Sequence, residues 1–160
     1  HRKFRVYIGM PITFAGGDHT QLFQEVAHRV STLLEPVLPS DAEETVRWSH
    51  AISGDTPLDE LCTALVERDL QQLQQSDGAL FLLQEPSVGT AMEIVYAYRA
   101  GIPSVVLVSQ RLLYHPWLRY HATSVLWAPD PLGPVLDHAV RLLADMIRDT
   151  RHSHTGNPEQ

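Results

Sequence analysis

Apolar positions along the chain alternate between short continuous runs and stretches of helical period. Phe4–Gly9 (FRVYIG) is a short β-rich run that ends at a glycine. Met10–Asp18 (MPITFAGGD) reads as a loop by its proline and glycine. From Thr20 to Leu34 apolar residues return at Leu22, Val26, Val30 and Leu33–Leu34, the period of a helix. Pro36–Glu44 holds two prolines with Ser and Asp and reads as a loop, and Thr45–Trp48 is a candidate second strand. Asp55–Ser76 is the strongest helical stretch, opening at Asp55-Thr56-Pro57 with proline in the first turn. Gly78–Gln84 (GALFLLQ) and Pro103–Ser109 (PSVVLVS) are continuous apolar runs, the signature of strands covered on both faces. Between them lie a loop, Glu85–Gly89, and a helix, Thr90–Ala100, closed by Gly101. Arg111–Tyr120 is amphipathic and interrupted at Pro116; Ser124–Ala128 reads as the last strand and Pro131–Thr150 as a closing helix. Strands alternating with helices predict an α/β domain: a parallel sheet of about five strands with helices on both faces. In such sheets the ligand sits beyond the carboxyl ends of the strands, which singles out Met10–Asp18, Ser49–Gly54 and Glu85–Gly89.

Composition narrows the picture. A chain of 160 residues that is 44% apolar is long enough for one self-sufficient core. The expected organisation is a single domain over 1–150 and a polar tail over 151–160. With 12 Lys and Arg against 19 Asp and Glu the net charge is −7, which lacks the basic footprint of a nucleic-acid binder. The one cysteine, Cys62, supports neither an intrachain disulfide nor a CxxC pair. No apolar run approaches the roughly 18 residues of a spanning helix, and the front of the chain reads as no secretory signal. The chain opens on His1 rather than methionine, and its original start is expected to have been trimmed. A cytoplasmic domain without membrane partners is expected.

Two carboxylates stand in unusual places. At about 100° per residue, Cys62, Leu65, Val66 and Leu73 fall on the same side of the helix as Asp69. A carboxylate on an apolar stripe is costly unless paired, hydrogen-bonded or neutral. Asp69 is either a rim carboxylate bonded to a neighbouring loop or part of a site. Glu93 shares its face with Gly89, Thr90, Ala97 and Ala100, all small, so that backbone or ligand can approach closely. Thr90-x-x-Glu93 also fits a capping box, which would explain Glu93 without any chemistry. Ser87-Val88-Gly89-Thr90 is a small-residue turn entering a helix, where free N–H groups favour an anion. The first loop holds neither a Walker lysine nor a GxGxxG fingerprint, and no G-x-S-x-G elbow occurs. His50 follows the candidate second strand, where a lone histidine is more often structural than a ligand contact. The histidines, His115, His121, His152 and His154 among them, form no zinc-ligand spacing, so neither a metal nor a cofactor is expected.

The combination carries more than its parts. A Y-x-G strand end, two aspartates (Asp69 and Asp77), a buried strand and then P-S-V-G-T-A-M-E resemble the nucleoside 2-deoxyribosyltransferase superfamily, and within it the 2'-deoxynucleoside 5'-phosphate N-hydrolases. Glu67–Gly101 carries most of the likeness, and Thr45–His50 resembles the hydrolases' second strand. The resemblance implies a flavodoxin-like (Rossmann-like) three-layer sandwich with a five-stranded parallel sheet. It implies Glu93 as nucleophile at the anomeric carbon, Tyr7 positioning that glutamate, and Asp69 in acid/base work and substrate orientation. Substrate-binding positions would be Gly9, Ile12, His50, Ser87 (on a 5'-phosphate), Gly89, His115 and Trp117. The last two would lie on a loop that completes the pocket of a neighbouring subunit in a homodimer or larger homo-oligomer. Three departures stand out: Met10–Thr13 offers no arginine for a phosphate, His115 occupies a position where the family has a small polar residue, and Met92–Val95 lacks the glycine that commonly follows the glutamate by two.

Breaking an N-glycosidic bond asks for a carboxylate at the anomeric carbon, which stabilises the oxocarbenium-like transition state, and a proton for the departing base. Glu93 would be ionised, and desolvation would raise the proton affinity of Asp69. The expected activity is hydrolysis of a (deoxy)nucleoside 5'-monophosphate to free base and sugar 5-phosphate. Base exchange by a nucleoside 2-deoxyribosyltransferase is the alternative. P-x-x-G-T-x-x-E also resembles the cytokinin-activating phosphoribohydrolases, and a non-catalytic nucleotide-binding module is the reading from another class.

Overall fold

The computed structural model describes residues 2–11, 18–37, 54 and 57–155. Five parallel strands form one sheet in the order β2-β1-β3-β4-β5. They are β1 (Arg5–Gly9), β2 (Glu35–Val37), β3 (Gly78–Leu83), β4 (Ser104–Val108) and β5 (Ser124–Trp127). The helices among the described residues are α1 (Asp18–Val30), α2 (Leu58–Gln74), α3 (Val88–Arg99), α4 (Pro116–His121) and α5 (Pro134–Thr155), with a 3-10 turn at Gln110–Leu112. This strand order is that of a flavodoxin-like fold, whose ligands sit at the carboxyl edge of the sheet.

Side-chain alternation along the central strands builds two cores. Val6, Ile8, Leu80, Leu82, Val105 and Leu107 pack with Val26 and Val30 of α1 and Leu136, Leu143 and Ile147 of α5. Tyr7, Ala79, Phe81, Leu83, Val106 and Val108 face the other way, onto Leu73 of α2, Ile94 and Ala97 of α3 and Leu118 of α4. Every residue of β3 and β4 is buried, which is why these strands read as unbroken apolar runs.

Several boundaries differ from the sequence pattern for identifiable reasons. A short strand at Glu35–Val37 overlaps the start of Pro36–Glu44, whose prolines suggested a loop. Among the described strands β2 lies at the sheet edge, where the missing N–H of Pro36 leaves no ladder bond unmade. The candidate strand Thr45–Trp48 lies outside the described residues. Pro57 caps α2 from outside rather than opening its first turn. Helix α3 starts at Val88, two residues before the expected Thr90. It ends in a paired C-terminal turn: Gly101, at φ +71°, donates its N–H to Tyr98 O at 3.2 Å, and Ile102 donates to Ala97 O at 2.9 Å. Only glycine takes that left-handed position without strain. Helix α5 runs to Thr155, into the expected tail.

Two charged anchors fix the layers. Arg29, at the end of α1, gives both arms of its guanidinium to Asp137 (3.0 and 2.8 Å) and also reaches Leu132 O and Gly133 O, tying α1 to the start of α5. Asp77 accepts the Arg5 N–H at 2.7 Å, donates its own N–H to Arg5 O at 2.8 Å and pairs with Arg151 of α5. Among the described residues, no helix is long and apolar enough to cross a membrane.

Candidate active site

Asp69 and Asp77, read together in the sequence, separate in space. Asp77 stands at the amino ends of β1 and β3 and is a structural anchor. Asp69 lies on α2, which packs beside α3, and its charge acts on both Tyr7 and Glu93. Of the apolar stripe assigned to Asp69, only Leu73 is buried, while Val66 is 56% exposed. Asp69 itself is half-buried, with its Oδ1 shut off from solvent.

Glu93 is reached from the sheet. Tyr7, in the middle of β1 and fully buried, projects toward α3 and donates its hydroxyl to Glu93 Oε2. The capping-box explanation of Glu93 fails. The N-cap of α3 is Ser87, whose Oγ accepts from the Thr90 N–H, so Thr90 is the third residue inside the helix rather than its cap. Glu93 sits in the second turn, next to the buried, sheet-facing stripe of Thr90, Ile94 and Ala97. This is a half-buried carboxyl held by a phenol, with no capping duty.

Electrostatics follow from that placement. Burial pushes the Glu93 carboxyl up from 4.5 to about 7; the Tyr7 hydrogen bond opposes the rise and the charge of Asp69 adds to it. Desolvation therefore acts strongly on Glu93. The phenol of Tyr7 is driven far above its ordinary range, by burial first and then by Glu93 and Asp69. Tyr7 thus stays protonated and remains a hydrogen-bond donor at any working pH. Near neutrality Glu93 exists both as acid and as carboxylate, and the Tyr7 hydroxyl supports the charged form.

The remaining expected contacts are placed unevenly. Gly9 ends β1, two residues beyond Tyr7. Ser87 and Gly89 form the entry of α3, and the space beside Gly89 is open. The first N–H groups of that helix have no intrahelical acceptor, which suits an anion. Ile12 and His50 lie outside the described residues. His115 precedes α4 and is exposed; Trp117 is 69% exposed and stacks on His121 with ring centroids 5.6 Å apart. The sequence reading missed the rest of this surface: Tyr98 and Tyr120, both exposed, pack their rings against each other and against His121. Their helical spacing was visible, but their convergence depends on α4 packing against α3. An open groove of about 470 Å³ runs along α3 between Ala91, Met92, Val95, Tyr96 and Arg99. It lies on the outer side of the helix and does not include Glu93. Among the described residues, no three His, Cys, Asp or Glu side chains come together as a metal site.

No protein-family model and no curated protein sequence matches the chain. Solved structures do. A 2-deoxyribosyltransferase from Bacillus psychrosaccharolyticus superposes with a TM-score of 0.54 at 15% identity, over 76% of this chain and 85% of that one. The fold is similar to that of a deoxyribosyltransferase. A conserved protein from Enterococcus faecalis V583 superposes with a TM-score of 0.52 at 17% identity, over 92% of this chain and 99% of that one. At these identities the likeness establishes a shared α/β architecture.

Proposed function

We propose that the protein is an N-glycosidase that hydrolyses a (deoxy)nucleoside 5'-monophosphate to free base and sugar 5-phosphate, with Glu93 as nucleophile. The observation that carries this reading is the half-buried Glu93 carboxyl held by the Tyr7 hydroxyl, with Asp69 beside the pair. In the first step an oxygen of ionised Glu93 forms a bond to C1' as the C1'–N bond breaks. The bonding pair leaves with the base, which takes a proton from Asp69. In the second step water attacks C1', its proton passes to Asp69, and the Glu93 carboxylate is released. Tyr7 keeps one oxygen of Glu93 engaged, so that the other faces the sugar. Ser87 and the N–H groups opening α3 would take the 5'-phosphate.

A second reading, base exchange between nucleosides, is favoured by the fold likeness to a 2-deoxyribosyltransferase. It uses the same two steps with a free base in place of water. The exposed Trp117, Tyr120, Val88 and Met92 around α3 and α4 support a homodimer or larger homo-oligomer in which these residues are covered. The test is incubation with a panel of nucleosides and 5'-monophosphates, with and without a second base, and chromatography of the products. Release of base from monophosphates, absent in Glu93→Ala, is expected. Exchange products without net hydrolysis would favour the second reading, and turnover unchanged in Glu93→Ala would sink both.

A further inference from the structure

Tyr7 must hold its ring still for its hydroxyl to stay on Glu93, and the strand itself does not ensure this. Across the β1–β3 ladder Tyr7 faces the small Ala79, while Gly9 faces Phe81. Phe81 is completely buried and leans from β3 over Gly9: its Cε1 lies 2.6 Å from where a Gly9 Cβ would stand. A side chain at Gly9 would therefore evict the ring. In this place Phe81 meets Tyr7 in a tilted aromatic contact, with centroids 6.2 Å apart and planes at 58°. Phe81 thus meets Tyr7 from opposite Gly9, two residues further toward the carboxyl edge of the sheet.

We propose that Phe81, seated over Gly9, is a positioning residue of the active site: it fixes the Tyr7 ring so that the phenol is aimed at Glu93. Phe81 has no exposed surface, so it acts through Tyr7 and touches no substrate. This assigns Gly9 a second duty besides the substrate contact implied by resemblance, that of leaving the space the Phe81 ring occupies. Gly9→Ala and Phe81→Leu are then opposite errors. One adds a methyl where the ring lies and the other shortens the ring's residue, and together they come close to conserving volume.

The proposal rests on reading Glu93 as the reacting carboxylate, but the two can fail separately. Titration of Glu93 by carbon NMR of glutamate-labelled protein reads the Tyr7–Glu93 contact whether or not any substrate turns over. The other charged groups acting on the pair, Asp69 and Arg68 of α2, stay in place throughout. Tyr7→Phe removes a hydrogen bond that lowers the Glu93 midpoint, so the midpoint rises. Phe81→Leu and Gly9→Ala each raise it as well. In the Tyr7→Phe background Phe81→Leu adds nothing, and Gly9→Ala/Phe81→Leu returns the midpoint toward the parent value. Where base is released, Phe81→Leu loses roughly 10- to 100-fold in kcat with KM unchanged, as expected of a misaimed catalytic group. Should Phe81→Leu fail to fold, Gly9→Ala and the double variant carry the same comparison. A Glu93 midpoint that stays put or falls in Phe81→Leu, or that rises further when Phe81→Leu is added to Tyr7→Phe, would overturn the proposal. Absence of base release by the parent protein beside the expected NMR pattern would overturn the functional reading alone.

Discussion

Replacing Glu93 by glutamine separates what the site does from what it costs the fold. The amide keeps the shape of the protonated side chain and can still accept the Tyr7 hydroxyl, but it cannot ionise. In the unfolded chain the Glu93 carboxyl loses its proton near 4.5; in the folded protein it holds the proton to about 7, chiefly because of burial. Between those values the native state binds a proton that the unfolded state has released. Stability therefore falls as pH rises through this window and is level above it. At about 1.4 kcal/mol per pH unit the gap amounts to about 3 kcal/mol. For a domain of this size that is roughly 6–12 °C in Tm. The expected result is that E93Q melts higher than the parent by about that margin at pH 8.5 and at the same temperature at pH 4, by calorimetry or by circular dichroism. Base release should fall on the order of 10⁴-fold or more in the same variant. A Tm difference independent of pH, or a parent protein more stable than E93Q at pH 8.5, would refute the reasoning.

Other outcomes follow from the same geometry. The parent kcat/KM should rise through about pH 7 as Glu93 ionises, and Tyr7→Phe should move this acid limb upward because the phenol is the group holding the midpoint down; an unmoved limb would separate Tyr7 from the reaction. Ser87→Ala removes the N-cap of α3 at a cost of about 1 kcal/mol and should weaken binding of a 5'-monophosphate more than of the matching nucleoside, measured by titration calorimetry; equal losses would argue against a phosphate at α3. Trp117→Asp should shift sedimentation toward monomer without lowering Tm at low protein concentration, since Trp117 is exposed in the single chain; an unchanged sedimentation coefficient would place the assembly surface elsewhere.

The parallel sheet was legible because burial on both faces leaves a direct mark. Leu80–Leu83 and Val105–Val108 have no polar interruptions, and the sheet's inner strands need none. The edge was harder: β2 is three residues long and contains a proline, so neither period nor propensity announces it. Glu93 was conspicuous as a carboxylate among small residues, but Thr90-x-x-Glu93 imitated a cap. Only the actual start of α3 at Val88 resolves which role it plays. The pairing of Tyr7 with Glu93 spans 86 positions and was reachable only by resemblance. Asp77 shows the converse. It belongs to the same sequence pattern as Asp69, yet strand register carries it to the opposite end of the sheet. The Phe81–Gly9 contact was invisible because a buried phenylalanine and a strand-end glycine each have ordinary explanations until their register is known.

The central claim is that the Glu93 carboxylate becomes covalently joined to a sugar C1'. The most direct measurement is mass spectrometry of the protein quenched during turnover of a 2'-fluoro-substituted deoxynucleoside 5'-monophosphate, whose electron-poor sugar slows departure of the intermediate. A mass increase equal to the sugar phosphate, mapped by peptide digestion to Glu93 and absent in E93Q, is the predicted result. Base release with no adduct, or an adduct mapped to any other side chain, would contradict it.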